Sequence, residues 1–280
     1  QQRAGDPGLS LRAMRILISP AKKMRANGDD LPWRDLPRLL PRAEVLYAEL
    51  RSMSGEELQV LWKCNDRIAG QNMERLRILA PRRTLAPAIL AYEGIQYQHM
   101  APGVFTEDQF DYIQEHLRIL SGLYGVLRPF DGVIPYRLEM QAKLRVGQAK
   151  DLYEFWGGSL AEELYCETDC VVNLASKEYS ICISRYQKPG TRLITCIFGE
   201  EQNGKIVEKG TLCKMARGEM VRFMAERRIT APEDIRAFDR LDYRFSWERS
   251  NGSTYTFLRR PPEKNAPAVE EPKRDLQSRP

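Results

Sequence analysis

The sequence predicts one α/β domain built on a mixed sheet, and two observations support that prediction. Short apolar runs at residues 15–19 and 171–174 have the length and composition of buried strands, and they alternate with longer segments of helical periodicity. No Gly-, Ser- or Pro-rich linker divides the 280 residues, and a hydrophobic content of 42% is enough for one sizeable core. The net charge of +5 permits a polyanionic partner without requiring one.

The first half of the chain is predicted to contain two buried strands and a group of helices. The strands are the apolar runs at residues 15–19 (RILIS) and 88–92 (AILAY). The helices between them form an insertion at about residues 42–80. Capping residues mark helix starts: Ser54 with Glu57, Asn65, and Thr106 with Gln109. We expect the last of these helices to continue to Gly122, because apolar residues recur with the helical period at 110, 113, 117 and 120.

The second half of the chain alternates between strands and helices. Residues 150–165 predict a helix that is interrupted at Gly157 and Gly158, and residues 212–228 predict a longer helix. Asn203 with Gly204 is a strong hairpin signal. The remaining predicted elements are a strand at 171–174, a helical turn at 176–182, strands at 191–198 and 205–207, a short helix at 232–238, and a terminal hairpin with strands at 243–247 and 254–258.

The two ends of the chain differ in composition from the rest. Residues 1–13 are polar and residues 261–280 are rich in Pro, Glu, Lys and Arg, so we expect a disordered lead, a folded domain at 14–260 and a disordered tail. No apolar run is close to the length of about eighteen residues that a membrane span needs. The first residues lack the apolar core of a signal peptide. We therefore expect a cytoplasmic protein with no membrane partner, whose six scattered cysteines are reduced.

One stretch, residues 117–140 (LRILSGLYGVLRPFDGVIPYRLEM), combines turn residues with arginines. Gly122 and Gly125 suit a tight turn with uncovered backbone N–H groups, and Arg128 and Arg137 follow them. Backbone N–H groups and arginines are both good phosphate ligands. The stretch therefore predicts a phosphate-gripping hairpin, and the alternative is a helix C-cap followed by a structural loop.

Two further groups of cations are candidates for phosphate contacts. Lys22 and Lys23 follow the strand predicted at 15–19, and ligands of α/β proteins often bind just beyond a strand end. On the helix predicted at 212–228, three cations share the side opposite the apolar residues: Lys214, Arg217 and Arg228. Cations of this kind neutralise phosphates without reading sequence. The structural alternatives are a solvated basic loop and a solvated helix face.

Motifs of common catalytic and metal sites are absent from the sequence. It has no P-loop, no G-x-G-x-x-G, no G-x-S-x-G and no H-E-x-x-H. With two histidines and dispersed cysteines, neither a metal nor another cofactor is predicted. Several side chains near predicted turns are candidates for acid–base chemistry, and their spacing selects none of them: Asp131, Glu139, Asp151, Glu178, Lys22, Lys150, Tyr136 and Tyr153.

Five segments of the chain together resemble one family of bacterial proteins. They are residues 14–23 (MRILISPAKK), 120–140 (LSGLYGVLRPFDGVIPYRLEM), 150–157 (KDLYEFWG), 172–179 (VNLASKEY) and 216–218 (ARG). In this order they resemble the YaaA family of peroxide stress proteins, and the resemblance covers about residues 14–260. It implies a single-domain α/β fold of unusual topology with a helix-hairpin-helix-like element, which would correspond here to residues 120–126.

The resemblance also implies a function. Proteins of this family limit peroxide damage by keeping free intracellular iron low, so that less hydroxyl radical forms near DNA. A basic cleft and the helix-hairpin-helix element imply binding to duplex or branched DNA without sequence preference, and no catalytic activity or catalytic residue follows. The residues predicted to bind DNA or phosphate are Lys22, Lys23, Gly122, Gly125, Arg128, Arg137, Lys150, Lys214 and Arg217.

A second hypothesis assigns many of the same cations to an enzyme. A phosphate-bearing or nucleotide-like small molecule would then bind in a cleft lined by Lys22, Arg128, Arg137, Lys150 and Arg217. Duplex DNA needs an open groove, whereas such an enzyme needs a closed pocket with a perturbed carboxylate or lysine. The shape of the surface around these cations therefore distinguishes the two hypotheses. The sequence predicts no oligomeric state.

Overall fold

A mixed sheet runs through the centre of the chain. The computed structural model describes residues 12–26 and 31–260, so the tail predicted at 261–280 and most of the lead predicted at 1–13 lie outside the described residues. The strands, in chain order, are β1 (Arg15–Ile18), β2 (Lys23–Met24), β3 (Ala86–Pro87), β4 (Tyr92–Glu93), β5 (Leu117–Ser121), β6 (Gly125–Leu127), β7 (Gly132–Val133), β8 (Cys170–Asn173), β9 (Arg192–Gln202), β10 (Lys205–Val207), β11 (Tyr243–Phe245) and β12 (Thr254–Arg259).

The main sheet has the strand order β11-β12-β9-β8-β1-β5-β6, with β10 beside β9. Its five central strands run parallel, and the edge strands β6 and β11 pair antiparallel with their neighbours. Parallel strands are covered on both faces, which explains why Ile16, Leu17 and Ile18 of β1 are fully buried. The described residues therefore form one α/β domain with a mixed sheet, as the sequence predicts.

Helices pack against the sheet and against one another. The α-helices, in chain order, are α1 (Leu40–Ser52), α2 (Gly55–Trp62), α3 (Asp66–Ile78), α4 (Ala88–Ala91), α5 (Ile95–Met100), α6 (Glu107–His116), α7 (Leu152–Trp156), α8 (Ser159–Tyr165), α9 (Lys177–Ser184) and α10 (Gly210–Arg227). Helices α1 to α3 are the predicted insertion. The Ser54 capping box and the Asn65 cap are both present, because each side chain accepts a hydrogen bond from the first turn that follows it.

Other local signals are also confirmed. The helix predicted at 150–165 is interrupted at Gly157 and Gly158 and becomes α7 and α8. Strands β9 and β10 pair antiparallel across Asn203 and Gly204, both of which have the positive φ angles that this turn requires. Strands β11 and β12 form the predicted terminal hairpin.

The strand predicted at residues 88–92 is wrong. Residues Ala88–Ala91 form the short helix α4, and only Tyr92 continues into a strand. All five side chains are buried. A short run that is apolar at every position has no period, so the sequence alone does not separate a buried strand from a buried turn of helix.

The helix-hairpin-helix-like element predicted at residues 120–126 is also wrong. Helix α6 ends at His116, and the chain continues as β5, which pairs with β1 on one side and with β6 on the other. Residues 120–126 are therefore part of a β-hairpin in the main sheet. Every residue from Leu117 to Ser121 is buried, including the polar Arg118 and Ser121, and the apolar residues Leu117 and Leu120 match the helical spacing although they lie in a strand.

Candidate functional site

A cavity of about 360 Å³ opens at the edge of the sheet where the parallel strands β1 and β8 end. Strand β1 lies between β5 and β8. The chain adds β5 on one side of β1 and later adds β8 on the other side. Open α/β sheets commonly bind ligands at such a switch point. We call this the switch-point cavity. It is lined by residues 19–23, 93–97 and 136–139, together with Ser176, Glu178, Tyr179, Lys214 and Arg217.

Two serines join the strand ends beneath the cavity. The backbone N–H of Ser176 donates to the hydroxyl of Ser19 at 2.8 Å, and the two hydroxyl oxygens are 3.2 Å apart. The phenol of Tyr97 and the amide of Gln96 both donate to the carbonyl oxygen of Ser19, at 2.9 and 3.1 Å. These bonds tie the loop after β1 to the start of α9 and to α5, so the floor of the cavity is fixed by three elements.

Helix α10 brings two of the predicted cations to the cavity. Lys214 and Arg217 lie on the side that faces it, whereas Ala216, Met220 and Phe223 are buried in the core, as the sequence predicts. Gly218 permits the close approach, because a Cβ there would lie 2.1 Å from the carbonyl oxygen of Gln96 on α5. The third cation predicted on this side of the helix does not line the cavity.

That third cation, Arg228, follows the last residue of α10 and pairs with Asp108 at the start of α6. Its φ angle of 51° ends the helix in the left-handed region. Arg228 therefore belongs to the helix end and does not line the cavity.

Five cations line the cavity, and they differ in their partners. Lys22 pairs with Glu139 at 3.2 Å, and Lys23 pairs with Glu93 at 3.0 Å; both lysines are exposed at the mouth. Arg137 and Arg217 are partly buried, and the Nε atom of each is fully buried without a hydrogen-bond partner among the described residues. A buried donor without an acceptor is costly. An anionic ligand in the cavity would supply acceptors for both guanidinium groups.

One carboxyl group in the cavity has a perturbed pKa. Burial raises the pKa of Glu178, and the nearby carboxylate of Glu139 raises it further. The side chain of Glu178 accepts a hydrogen bond from the backbone N–H of Gln141 at 3.3 Å, which favours the charged form. The phenol of Tyr153 donates to the backbone carbonyl of Glu178 at 2.8 Å and so fixes the first turn of α9. Glu178 is thus a positioned group that can exchange a proton with a ligand.

A buried hydroxyl network lies behind the cavity. The phenol oxygen of Tyr136 is 2.7 Å from that of Tyr92 and 2.5 Å from the hydroxyl oxygen of Ser121 at the end of β5. Burial raises the pKa of Tyr136 to about 12, so its phenol is neutral at physiological pH. The network fixes Tyr136, and with it the segment that carries Arg137.

Four of the predicted residues lie away from the switch-point cavity. Arg128 pairs with the buried carboxylate of Asp131 at 2.8 Å, and Lys150 is exposed on the loop before α7. Gly122 lies in the turn after β5, Gly125 is the first residue of β6, and both are buried. Their backbone is covered by the protein itself, because a Cβ on Gly122 would lie 2.3 Å from the carbonyl oxygen of Leu138. DNA or phosphate binding by these four residues stays a prediction, and the cavity does not support it.

Several residues of the cavity were not among the predicted ligands. Ser19 and Ser176 each follow a buried parallel strand closely, and that position is a signal that the sequence contains. Glu93, Gln96 and Tyr97 carry no such signal: Glu93 ends β4, and Gln96 and Tyr97 belong to α5, a segment for which the sequence predicts no element.

Residues 12–26 and 31–260 contain neither a group of metal-ligating side chains nor a membrane-spanning helix. Within them, no three His, Cys, Asp or Glu side chains are grouped in a way that could hold a metal ion. In the same residues, every helix is too short or too polar to cross a membrane. All six cysteines lie in this part of the chain, and each is a free thiol.

Comparisons with known proteins give a consistent result. Residues 14–249 match the family model described as peroxide stress protein YaaA. A UPF0246 protein of Lachnoclostridium phytofermentans is 52% identical over 246 residues, which are 88% of this chain and 96% of the relative. A UPF0246 protein of Desulfitobacterium hafniense is 50% identical over 251 residues, which are 90% of this chain and 100% of the relative. A third, from Pediococcus pentosaceus, is 46% identical over 246 residues, 88% of this chain and 98% of the relative.

Proposed function

The chain belongs to the YaaA family of peroxide stress proteins, and from this premise we propose that its switch-point cavity binds a phosphate-bearing small molecule on which the protein acts. The response to which this activity contributes takes place in the cytoplasm and lowers free intracellular iron. The cellular part of the proposal rests on the family resemblance of the five sequence segments. The molecular part rests on the cavity.

The observation that carries the molecular part is the pair of partly buried arginines. Arg137 and Arg217 line one cavity, and the buried Nε atom of each has no acceptor within the described chain. Phosphate groups suit guanidinium groups because they offer several strong acceptor oxygens in a matching geometry. The ligand would therefore satisfy donors that the described residues leave unpaired.

The shape of the cavity and the state of Glu178 favour a small molecule as the bound species. A volume of about 360 Å³ falls within the range of about 300–1,000 Å³ for small-molecule sites. A duplex would need a groove, and its phosphates would not reach guanidinium groups inside a cavity. The raised pKa of the Glu178 carboxyl adds a group suited to proton transfer beside the ligand. This combination favours an enzyme over a passive binding protein.

Calorimetric titration tests the proposal. We expect ribose 5-phosphate to bind the wild-type protein, and Arg137→Gln and Arg217→Gln each to weaken that binding about 10- to 100-fold, the effect of losing a hydrogen bond to a charged group. Lys150→Gln is the matched control, because it removes an exposed cation outside the cavity. The proposal fails if no phosphate ester binds, or if the arginine variants bind as the wild type does.

Sequence-independent binding to duplex DNA is the second candidate function. It is favoured by Lys22, Lys23 and Lys214, which are exposed around the mouth of the cavity and can contact phosphates that do not enter it. The two candidates differ in one measurable respect. A small phosphate ester that fills the cavity would compete with DNA at the shared mouth, whereas it would leave DNA binding at a distant surface unchanged.

A further inference from the structure

We propose that the ligand of the switch-point cavity is a nucleoside 5′-monophosphate, whose phosphate lies between Arg137 and Arg217 and whose base donates a hydrogen bond to Glu178. This inference rests on the proposed function and specifies the chemical class of its ligand. It is carried by the charges of the cavity, by its size and walls, and by the acceptor that Glu178 presents.

The charge of the cavity matches one phosphate monoester. Lys22 and Lys23 are already paired with glutamates, which leaves three cations and one carboxylate for the ligand: Arg137, Lys214, Arg217 and Glu178. This is a surplus of two positive charges. A phosphate monoester carries about −1.5 to −2 at pH 7. A di- or triphosphate would bring more negative charge than the unpaired cations neutralise.

The size and the walls of the cavity suit a single nucleoside. Its volume of about 360 Å³ is near the lower end of the range for small-molecule sites, which suits a mononucleotide better than a dinucleotide cofactor. Part of the lining is apolar or aromatic, namely Ile95, Tyr97, Leu138 and Tyr179. A flat ring such as a nucleobase buries its faces against walls of this kind, while its edges remain available for hydrogen bonds.

Glu178 separates a nucleotide from a simple sugar phosphate. A carboxylate has about four acceptor sites, and the backbone N–H of Gln141 occupies one of them. The side chain is partly buried beside Glu139, where a further donor would be strongly stabilising. Exocyclic amines of nucleobases are good donors to carboxylates. Adenine, guanine and cytosine each carry one, whereas ribose 5-phosphate offers only hydroxyl donors and has no aromatic ring to pack against the apolar wall.

The inference is tested by titrating the full-length protein with the 5′-monophosphates of adenosine, guanosine and cytidine, and with ribose 5-phosphate, adenosine and ATP. At least one monophosphate should bind tenfold or more tightly than ribose 5-phosphate, adenosine and ATP. Glu178→Gln should weaken binding of that nucleotide about tenfold and should not weaken binding of ribose 5-phosphate. Arg217→Gln should weaken both. Glu107→Gln, which changes an exposed glutamate on α6, is the matched control.

The outcomes separate this inference from the function on which it rests. If ribose 5-phosphate binds as tightly as every nucleotide, the nucleotide inference is overturned and the phosphate-binding cavity stands. Tighter binding of ATP would also overturn it, because the charge argument would then be wrong. If no phosphate compound binds, both proposals fail. Circular dichroism melting curves of each variant establish that a loss of binding is not a loss of folding.

Discussion

Gly218 on α10 packs directly against the backbone carbonyl of Gln96 on α5. A Cβ at residue 218 would lie 2.1 Å from that oxygen and 2.9 Å from the backbone nitrogen of Met100, distances that real Cβ atoms do not reach. The two helices therefore touch backbone to backbone. Because Arg217 is the preceding residue and α5 borders the switch-point cavity, this contact sets the position of a guanidinium group in the site.

Gly218→Ala should therefore destabilise the protein. Overpacking costs about 1–3 kcal/mol, and a 2.1 Å clash with rigid backbone belongs at the upper end of that range, above the roughly 1 kcal/mol that alanine gains over glycine within a helix. Gly70→Ala is the matched control, because Gly70 is an exposed residue of α3 with nothing within 4 Å of its added Cβ. That variant should raise the free energy of unfolding by about 0.5–1 kcal/mol. Urea denaturation measures both values, and stabilisation by both substitutions would contradict the close contact.

The sequence predicts most elements of this fold because their signals are local. Ser54 with Glu57 marks the start of α2, and Asn203 with Gly204 marks the turn between β9 and β10, without help from distant residues. Residues 117–121 lack a local signal. Their apolar side chains fit a helix as well as a strand, and only pairing with β1 and β6 decides between them.

The candidate site could be predicted in part for a related reason. Sequence shows which cations lie near turns and which share one side of a helix, and five of the predicted ones do line the switch-point cavity: Lys22, Lys23, Arg137, Lys214 and Arg217. The sequence does not show which of these side chains are buried. Arg128 resembles Arg137 in its surroundings in sequence, yet its partner Asp131 is buried and holds it in a structural ion pair. Close approach of two helices at Gly218 is likewise a property of the folded chain alone.

The ion pair of Arg128 and Asp131 gives a prediction for pH dependence. Burial raises the pKa of the Asp131 carboxyl to about 6, against the lowering effect of Arg128. The folded protein therefore binds a proton between about pH 4 and pH 6 that the unfolded chain has lost, so this group's contribution to stability falls as the pH rises through that window.

Arg128→Met should cost about 3–5 kcal/mol of unfolding free energy at pH 7.5, because it leaves a buried carboxylate unpaired. The loss should be smaller at pH 5, since removal of the cation raises the pKa of Asp131 further and the protonated group carries no charge. Urea denaturation at the two pH values measures the difference. In the double variant Arg128→Met with Asp131→Asn, the loss of unfolding free energy should be the same at both pH values. An equal loss at both pH values in the single variant Arg128→Met would contradict the predicted role of Asp131.

The cysteines are expected to differ widely in reactivity toward alkylating agents and peroxide. Burial raises the pKa of Cys182 and Cys196 to about 12, so their thiolate fraction at pH 7.5 is very small. Cys166 is exposed. Mass spectrometry after a short iodoacetamide pulse should find Cys166 modified first and the two buried thiols modified only in urea. If Cys182 or Cys196 were labelled as fast as Cys166 in the folded protein, the prediction would be wrong, and the structure around these thiols would open in solution.

Binding to duplex DNA, the second candidate function, should depend on salt if the mouth of the cavity contacts phosphates. Each neutralised phosphate contributes about −0.9 to the slope of log affinity against log salt, so three contacts, one for each lysine at the mouth, would lower affinity roughly 40-fold between about 50 and 200 mM. Lys22→Ala with Lys214→Ala should reduce the magnitude of this slope by roughly two units, because both lysines are exposed at the mouth. Lys150→Ala should leave it unchanged if DNA contacts only the mouth. Fluorescence anisotropy measures the slopes, and wild-type binding without salt dependence would exclude this candidate.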